Sequence, residues 1–409
     1  MKFSKEFNLS ILTVVITISM QFMFIRYSSY YISKVDYGNF VLLQTLIAGL
    51  SATLLQIPGQ SFDRFYNTSK NKLLFINEFR SILVFVNVIG LLLIVLYGTI
   101  YNKFSIEILS VLFVYFVVSN NYALNQKIFL LNLQRKKFFY IKILEASSKF
   151  LFPIIFYYFL HSLISIIYGM IVGYMISYLL LLIFLKDYKY KFIIQWRNLK
   201  KYFIFAYPII FVSIFTWGIS FSDRYFIDYY LSTKDVAIYS LLAIVAGVGQ
   251  VVGQVYFMYA EPKILKRYEE DAHETSRMIN SYILKLFLVF VVLGLIASVL
   301  PKIIYTILLE KDIIYNEYYF HTMIILLFAT FLNILHIAHH MHLKLAKRLN
   351  ILAYIFLIGL IVNLIGNLFI ARYGIMAAAI STLVAYSVIL IAQILYVWKI
   401  MPFQRSENA

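Results

Sequence analysis

A group of four histidines has the spacing of a metal-binding box, because His336, His339 and His340 follow the pattern His-x-x-His-His and His342 comes two residues later. Imidazole nitrogens are common ligands of transition metals, and membrane di-iron desaturases use boxes of this kind. Such an enzyme needs several boxes to bind two irons, whereas the other histidines of the chain are single and far apart. We therefore expect neither a metal nor a cofactor. The group is interpreted as a polar stripe on a helix, lining a cavity or solvated beside Lys344.

Two lysines lie inside long apolar segments, where charge is costly. A charged side chain at the middle of a bilayer costs about 2.5 to 3.5 kcal/mol on insertion scales, so embedded charges are candidates for function. Lys149 has Glu145 four residues before it, a spacing that allows a pair on one helix face. Lys285 has no acidic residue one turn away. The alternative for both lysines is that the long side chain reaches the membrane surface.

Three further charged residues stand at the ends of apolar segments. Arg26 follows the first segment, and Asp223 and Arg224 follow the seventh. The arginines either anchor their helices at the membrane surface or bind an anionic ligand. Asp223 is also a candidate for ion coupling, because an apolar environment favours the protonated form of a carboxyl group.

Amide side chains recur within the apolar segments, mostly at a spacing of four residues that places them on one helix face. They are Asn120, Asn121 and Asn125, then Gln250 and Gln254, then Asn363 and Asn367. Such groups either contact the hydroxyls of a sugar or bond one helix to another, an interaction worth about 0.6 kcal/mol on average in membranes. Both interpretations stay open. Gly249 and Gly253 have the same spacing and are expected to allow close helix packing.

The elements that position all these residues are membrane helices. Of the 409 residues, 62% are hydrophobic and 13% are charged, whereas a soluble domain is about half apolar and about a quarter charged. The chain has no cysteine, which excludes disulfides, thiolate metal sites and a cysteine nucleophile. We predict an all-α integral membrane protein. Its twelve spans, each of the length that crosses a bilayer, are predicted near residues 9–25, 40–57, 82–101, 108–130, 143–160, 163–185, 203–222, 236–258, 280–300, 320–343, 351–371 and 375–397.

Lysine and arginine concentrate in alternate loops, as expected of the loops on the cytoplasmic side of a membrane. Arg135, Lys136 and Lys137 lie in one such loop, and 186–202 is another. The alternation holds over all twelve spans and predicts that both termini are cytoplasmic. It also accounts for most of the net charge of +17, so we expect no nucleic-acid partner. The longest loops are too short to fold a catalytic domain, and we do not expect an enzyme.

Three stretches of the sequence carry a family resemblance, and one of them is repeated, since Ser33 and Asp36 match Ser232 and Asp235 in the second half. The stretches are Ser33–Phe40 with Asp63–Tyr66; Ser222–Phe226 with Val236–Ser240 and Glu261-Pro262; and Arg372–Ala379. In their order and spacing, the chain resembles the multidrug/oligosaccharidyl-lipid/polysaccharide exporter superfamily, specifically its polysaccharide-transporter branch with the Wzx O-antigen flippases. Ala237 and Ala377 stand where the family commonly has glycine, and alanine is the smallest replacement.

The resemblance implies two six-helix lobes, residues 1–201 and 202–409, around a central cavity. It also implies a flippase that moves an undecaprenyl-pyrophosphate-linked oligosaccharide, the repeat unit of an O-antigen or capsule, from the inner to the outer leaflet of the bacterial cytoplasmic membrane by alternating access. The expected partners are this polyprenyl-pyrophosphate-linked oligosaccharide, the lipid bilayer, H+ or Na+ as the coupling ion, and other polysaccharide assembly proteins. The candidate substrate-binding residues are Lys149, Lys285, Arg26, Arg224, Asn120, Asn125, Gln250, Gln254, Asn363 and Asn367.

Two other functions compete with this interpretation. A drug or cation exporter of the same superfamily is expected to have more embedded carboxylates than embedded bases, and the two embedded lysines argue against it. A membrane polysaccharide polymerase or acyltransferase needs a sizeable outer loop with acid, base or arginine groups. The longest outer loop spans about residues 301–319. Its only acidic residues and lysines are Lys302, Glu310, Lys311, Asp312 and Glu317.

Overall fold

The computed structural model describes residues 5–185, 190–346 and 348–404, and in these ranges the chain consists of helices joined by turns and short loops. Within these ranges the side chains of residues 5–11, 254, 258, 259, 262, 269, 270, 272, 273, 349 and 400–404 are not described. The described ranges contain no strand, and the prediction of an all-α fold is confirmed.

The chain forms two compact units, Met1–Ile210 (unit 1) and Phe211–Ala409 (unit 2). The boundary lies within one long helix, α8 (Trp196–Tyr230). The preceding helices are α1 (Lys5–Tyr31), α2 (Lys34–Leu54), α3 (Gln56–Phe65), α4 (Lys72–Tyr101), α5 (Ile106–Leu131), α6 (Arg135–Leu160) and α7 (Leu163–Phe184). The following helices are α9 (Thr233–Ala246), α10 (Val248–Glu270), α11 (Ala272–Val299), α12 (Lys302–Tyr305), α13 (Lys311–Ile314), α14 (Glu317–Leu345), α15 (Leu349–Asn367), α16 (Ile370–Tyr373) and α17 (Ile375–Gln404).

Twelve spans in the described ranges are long and apolar enough to cross a membrane, which confirms the predicted number. The eighth span, Thr233–Phe257, joins α9 to the first part of α10 through Gly247. The second span is also followed directly by another helix, because only Leu55 separates α2 from α3.

Several span boundaries differ from those expected from hydropathy, and two of the differences, at α4 and α8, involve buried charged residues. Helix α4 begins at Lys72, well before residue 82, because the Asn71 side chain caps it by accepting a hydrogen bond from the backbone N–H of Leu74. Its first turns therefore contain charged residues that hydropathy assigns to a loop. Helix α8 continues to Tyr230 and does not end at residue 222. The charged side chains responsible for both errors are buried among polar partners, described below.

Helices α6 and α7 of unit 1 approach each other backbone to backbone. A Cβ atom on Gly173 of α7 would lie 2.8 Å from the carbonyl oxygen of Ser148, and one on Gly169 would lie 2.5 Å from the Cα atom of Pro153. Glycine at a spacing of four thus removes the side chains that would hold the two helices apart. Sequence analysis considered only Gly249 and Gly253 for such a role.

Helix α14 is the centre of unit 2 and packs against α9, α10, α11 and α17. Gly249 and Gly253 of α10 lie against α14, as expected, but they meet side chains. A Cβ atom on Gly249 would lie 2.7 Å from Phe331, and one on Gly253 would lie 2.6 Å from Ile334. The close approach therefore depends on how those side chains are arranged.

The repeated sequence segment forms the same helix cap in each unit. Ser33 accepts a hydrogen bond from the backbone N–H of Asp36 at the start of α2, and Ser232 does so for Asp235 at the start of α9. Each serine hydroxyl also donates to the aspartate side chain of its own cap, at 2.8 and 2.5 Å respectively. In unit 1 the cap is also tied to α6, because the Tyr157 hydroxyl donates to Asp36 at 3.0 Å.

Candidate functional site

A buried ion pair forms the centre of a polar cluster in unit 2. Asp223 is 2% exposed and Arg224 is 8% exposed, and both lie in α8. The guanidinium of Arg224 donates to the Asp223 carboxylate at 2.8 Å and to the backbone carbonyl of Ser220 at 2.7 Å. The hydroxyl of Tyr239, on α9, donates to the other carboxylate oxygen at 2.5 Å. The pair is thus enclosed in the protein and does not anchor the end of a helix at the membrane surface.

A second polar group lies beside this pair and joins α8, α15 and α17. The Asn363 amide donates to the hydroxyls of Ser381 and Thr382 at 3.0 and 3.3 Å and accepts from Ser222 at 3.3 Å. Asn367 donates to Asn363 at 3.1 Å and accepts from Ser381 at 2.9 Å. The two asparagines share one face of α15, as their spacing of four predicted. Their amides form hydrogen bonds with α8 and α17.

This arrangement can change its charge, because it contains one carboxylate, one permanent cation and several neutral hydroxyl and amide groups. An arginine stays protonated in proteins, so only Asp223 can exchange a proton within the ion pair. Loss of that carboxylate charge leaves the buried guanidinium without its counter-charge, which is strongly unfavourable. Occupancy of Asp223 and the conformation of its surroundings are therefore energetically linked.

Unit 1 contains a different buried polar cluster, which sequence analysis did not identify. Glu78 of α4 accepts hydrogen bonds from the Asn198 amide at 3.2 Å and from the Tyr202 hydroxyl at 3.1 Å. Arg80, two residues further along α4, donates twice to the Asn125 amide oxygen, at 2.9 and 2.5 Å. The two charged side chains are buried, and each is bonded by neutral groups on another helix.

The sequence did contain a signal for this cluster. Apolar residues stand on both sides of Glu78 and Arg80, and every residue from 75 to 83 is buried in the folded chain. The buried apolar side chains of this part of α4 include Phe75, Ile76, Phe79, Ile82, Leu83 and Val86. A window that only sums hydropathy rejects this segment, because it counts the charges without considering their partners.

The amide candidates of α5 contact α4. Asn120 donates to Asn87 at 3.2 Å, and Asn125 accepts from Arg80 while donating to the backbone carbonyl of Asn121 at 2.8 Å. In unit 1 these groups bond helix to helix, which is one of the two interpretations left open by the sequence.

Lys149 lies on α6 and is half-buried. Its ammonium group is 5.5 Å from the centre of the Tyr174 ring on α7, a cation–π distance. Glu145, the expected pairing partner, accepts hydrogen bonds from Tyr122 at 2.9 Å and from Lys142 at 2.7 Å. The lysine is thus placed among aromatic groups, and the carboxylate one turn away is bonded to other residues.

The remaining candidates are dispersed. Arg26 is exposed on α1, 5.5 Å from the Tyr30 ring centre, and Lys285 is exposed on α11. Gln250 is exposed on α10, and the side chain of Gln254 lies outside the described residues. Unit 2 therefore brings together Asp223 with Arg224, and Asn363 with Asn367, whereas the described side chains of Arg26, Lys285 and Gln250 are exposed and separate from these clusters.

The histidine stripe lies on α14, and three of its four members are buried: His336, His339 and His342. His340 is half-buried. The rings of His339 and His342 are 5.1 Å apart, and His342 is 3.1 Å from the Asn280 amide oxygen on α11. Among the described residues, no three acidic or histidine side chains form a group that could hold a metal ion.

The family motifs of the sequence have structural roles at the helix ends. Asp63 of α3 pairs with Lys127 of α5 at 2.7 Å, and the Tyr66 hydroxyl donates to Asn132 at 3.0 Å. Gly374 precedes α17 with φ of 67°, a left-handed conformation that favours glycine. Twelve apolar spans with charged and amide groups buried between helices define an all-helical, multi-pass membrane protein.

The chain belongs to the family of polysaccharide biosynthesis proteins whose model matches residues 46–257. This confirms the assignment to the polysaccharide-transporter branch that the sequence motifs predicted. None of the curated proteins compared matches the chain.

Solved structures show the same fold. The lipid II flippase MurJ in an inward closed conformation has a TM-score of 0.71 and 15% identity, over 96% of this chain and 87% of that one. A transporter of the same superfamily from Pyrococcus furiosus has a TM-score of 0.66 and 13% identity, over 97% and 95%. The eukaryotic MATE transporter AtDTX14 has a TM-score of 0.65 and 10% identity, over 97% and 95%. At such identities the likeness concerns the fold.

Proposed function

We propose that this protein is a flippase that moves a polyprenyl-pyrophosphate-linked oligosaccharide, the repeat unit of an O-antigen or capsule, from the inner to the outer leaflet of the bacterial cytoplasmic membrane. The observation that carries the proposal is the match to the polysaccharide biosynthesis family over half of the chain. The fold shared with a lipid-linked precursor flippase supports it. Other polysaccharide assembly proteins are the expected partners.

The energy for this movement comes, in our proposal, from H+ or Na+ at Asp223. The carboxylate is buried beside one arginine, and its occupancy changes the charge of a water-poor environment. A change of that kind shifts the relative free energies of two conformations, which alternating access requires. The lobes expected at residues 1–201 and 202–409 are the bodies that exchange these conformations.

The head group is proposed to bind Lys149 and Lys285, one from each lobe, with Arg26 and Arg224 nearer the outer exit. Pyrophosphate carries concentrated negative charge, and a low dielectric strengthens its attraction to ammonium groups. Among the described residues neither lysine forms an ion pair. A lysine is a flexible point charge, which suits a ligand that must be released. Arg224 is committed to Asp223 in this conformation, so its contact with ligand requires that pair to open.

The test is flipping of a fluorescent undecaprenyl-pyrophosphate-linked oligosaccharide in proteoliposomes, measured by protection from a quencher added outside. We expect Lys149→Ala and Lys285→Ala to slow flipping strongly, and Lys285→Arg to retain part of the rate. Lys311→Ala, in a short loop helix, is the matched control and should flip at the wild-type rate. A wild-type protein that moves cationic dyes but no lipid-linked sugar would instead identify a drug or cation exporter.

The membrane topology is tested separately with single cysteines, since the natural chain has none. Val35 and Lys234 occupy equivalent positions in the two repeated caps and are predicted on the outer side, while Lys136 is predicted in the cytoplasm. An impermeant thiol reagent added to intact cells should label Val35→Cys and Lys234→Cys but not Lys136→Cys. Labelling at position 136 would contradict both cytoplasmic termini and the localisation of the loops.

A further inference from the structure

The buried histidines of α14 are an unusual use of space in a membrane helix. His336 is 1% exposed, and His339 and His342 follow at intervals of three residues, so the three side chains share one side of the helix. Apolar side chains of similar size would fill this position at lower free energy, because buried polar groups require hydrogen-bond partners. The stripe therefore calls for an explanation other than packing.

Some of the buried polar atoms lack a partner. In the described part of the chain, no group bonds the Nδ1 atoms of His336 and His339, or either side-chain polar atom of Gln393. Gln393 is 0% exposed and lies on α17, two turns after Tyr386. Since only α15 among the spans separates α14 from α17, the two helices run in the same direction. This places Gln393 near the level of His342.

The N-terminal end of the histidine stripe, at His336, is linked through Tyr386 and Ser220 to the cluster around Asp223. The rings of His336 and Tyr386 stack with their centres 5.4 Å apart and an interplanar angle of 25°. The Tyr386 hydroxyl is 2.9 Å from the Ser220 hydroxyl. Ser220 lies one turn before Asp223 on α8, and its backbone carbonyl accepts from Arg224. Polar side chains thus lie at successive levels between Asp223 and His342, and the Nε2 atom of His336 is 2.9 Å from the Asn333 amide oxygen on the same helix.

The chemistry of this row and of its neighbours indicates which ion it is suited to carry. The neighbouring titratable and charged groups are the Lys344 to Glu261 pair, His340, Tyr256, Tyr282, Tyr386, Tyr239 and the Asp223 to Arg224 pair. No metal-binding group forms among the described residues. Imidazole accepts a proton on one nitrogen and releases one from the other, so a row of histidines and hydroxyls is suited to moving protons.

We propose that Tyr386, His336, His339 and His342 form a proton pathway from Asp223 to the end of α14 that the proposed topology places at the cytoplasm. This inference rests on the proposed function in that it names H+ as the coupling ion. A proton bound by Asp223 leaves through the hydroxyls of Ser220 and Tyr386. Each imidazole then gains a proton from the side of Asp223 and releases one towards His342, where it enters the cytoplasm. No bond to carbon changes and nothing is oxidised. Each imidazole keeps its number of protons but ends a transfer in the opposite tautomer, and rotation of the ring restores the starting state for the next cycle.

Proton movement is measured with the pH-sensitive dye pyranine inside proteoliposomes that contain undecaprenyl pyrophosphate, after acidification of the outside in the presence of valinomycin and potassium. We expect wild-type protein to acidify the lumen, and His336→Phe and His339→Phe to slow this by about a hundredfold, a loss typical for removal of a positioned proton-transfer group. Phenylalanine keeps the ring volume and the stacking on Tyr386. His336→Gln, which stays polar but cannot hold a proton, should be equally slow.

The matched control is His321→Phe, because His321 lies on the same helix but is exposed. It should acidify the lumen at the wild-type rate. Equal melting temperatures of all variants in detergent exclude a folding defect. If His336→Phe and His339→Phe acidify as fast as wild type while Asp223→Asn does not, the pathway is wrong and ion coupling at Asp223 stands. If lipid flipping follows a sodium gradient and no protons enter through wild type, the pathway is also wrong, while the flippase function stands.

Discussion

In unit 1 the buried carboxylate of Glu78 accepts hydrogen bonds from neutral groups of another helix, whereas in unit 2 Asp223 and Arg224 are bonded to each other. Neutralising a carboxylate that is held by an amide and a hydroxyl removes no salt bridge. A direct ion pair behaves differently, since neutralising one member leaves the other buried and uncompensated. The comparison indicates that unit 1 uses its charged residues to join helices, while unit 2 can convert a change in charge into a change in conformation.

The largest expected difference concerns transport. Asp223→Asn should reduce lipid flipping in proteoliposomes to background, because the amide cannot exchange an ion. Glu78→Gln should leave the rate close to wild type, because the amide can keep its contacts with Asn198 and Tyr202. The comparison would be contradicted if Glu78→Gln abolished flipping and Asp223→Asn did not.

The next difference concerns stability. Arg224→Met should lower the free energy of unfolding by about 3–5 kcal/mol, because it leaves a buried carboxylate uncompensated. Arg80→Met should cost about 1–3 kcal/mol, because it removes two hydrogen bonds to the buried amide oxygen of Asn125. Chemical denaturation in detergent measures both. The double variant Asp223→Asn with Arg224→Met is the control and should recover much of the loss; no recovery would mean that the arginine stabilises unit 2 by packing alone.

A smaller difference is expected where glycines lie between helices. Gly173→Ala should destabilise unit 1 by about 1–3 kcal/mol, since its Cβ meets the backbone of Ser148, which cannot rotate away. Gly253→Ala should cost less, because the Ile334 side chain opposite it can adopt another rotamer. Melting temperatures of the two variants, measured side by side, decide this. Equal losses would show that the backbone contact in unit 1 is no tighter than the side-chain contact in unit 2.

Much of the fold could be predicted because bilayer insertion depends on properties that each segment has by itself. Length and hydropathy predict the twelve spans, and a serine three residues before an aspartate predicts the caps of α2 and α9. The errors at α4 and α8 have one cause. Hydropathy assigns the full cost of burial to Arg80 and Asp223, whereas in the folded chain partners reduce that cost.

The candidate site was only partly predictable for the same reason. Asn363 and Asn367 were identified as polar residues within an apolar segment and Asp223 as a charged residue at the end of one, and the structure buries all three in unit 2. Glu78 and Arg80 were missed, because they lie where a hydropathy window ends. The histidines stood out in the sequence because their spacing resembles a metal-binding box. That spacing did not predict the contacts of His342 with Asn280 and of His336 with Tyr386.

The sequence by itself determined that this protein crosses a membrane about twelve times and belongs to a transporter-type fold, because those properties follow from local composition and from motifs at helix ends. Only the tertiary structure decided which polar groups meet. Arg80 and Asn125, Glu78 and Tyr202, and His336 and Tyr386 lie far apart in the chain and come together only when their helices pack. A buried polar group is stabilised by its partner's geometry, and the order of residues along the chain does not contain that geometry.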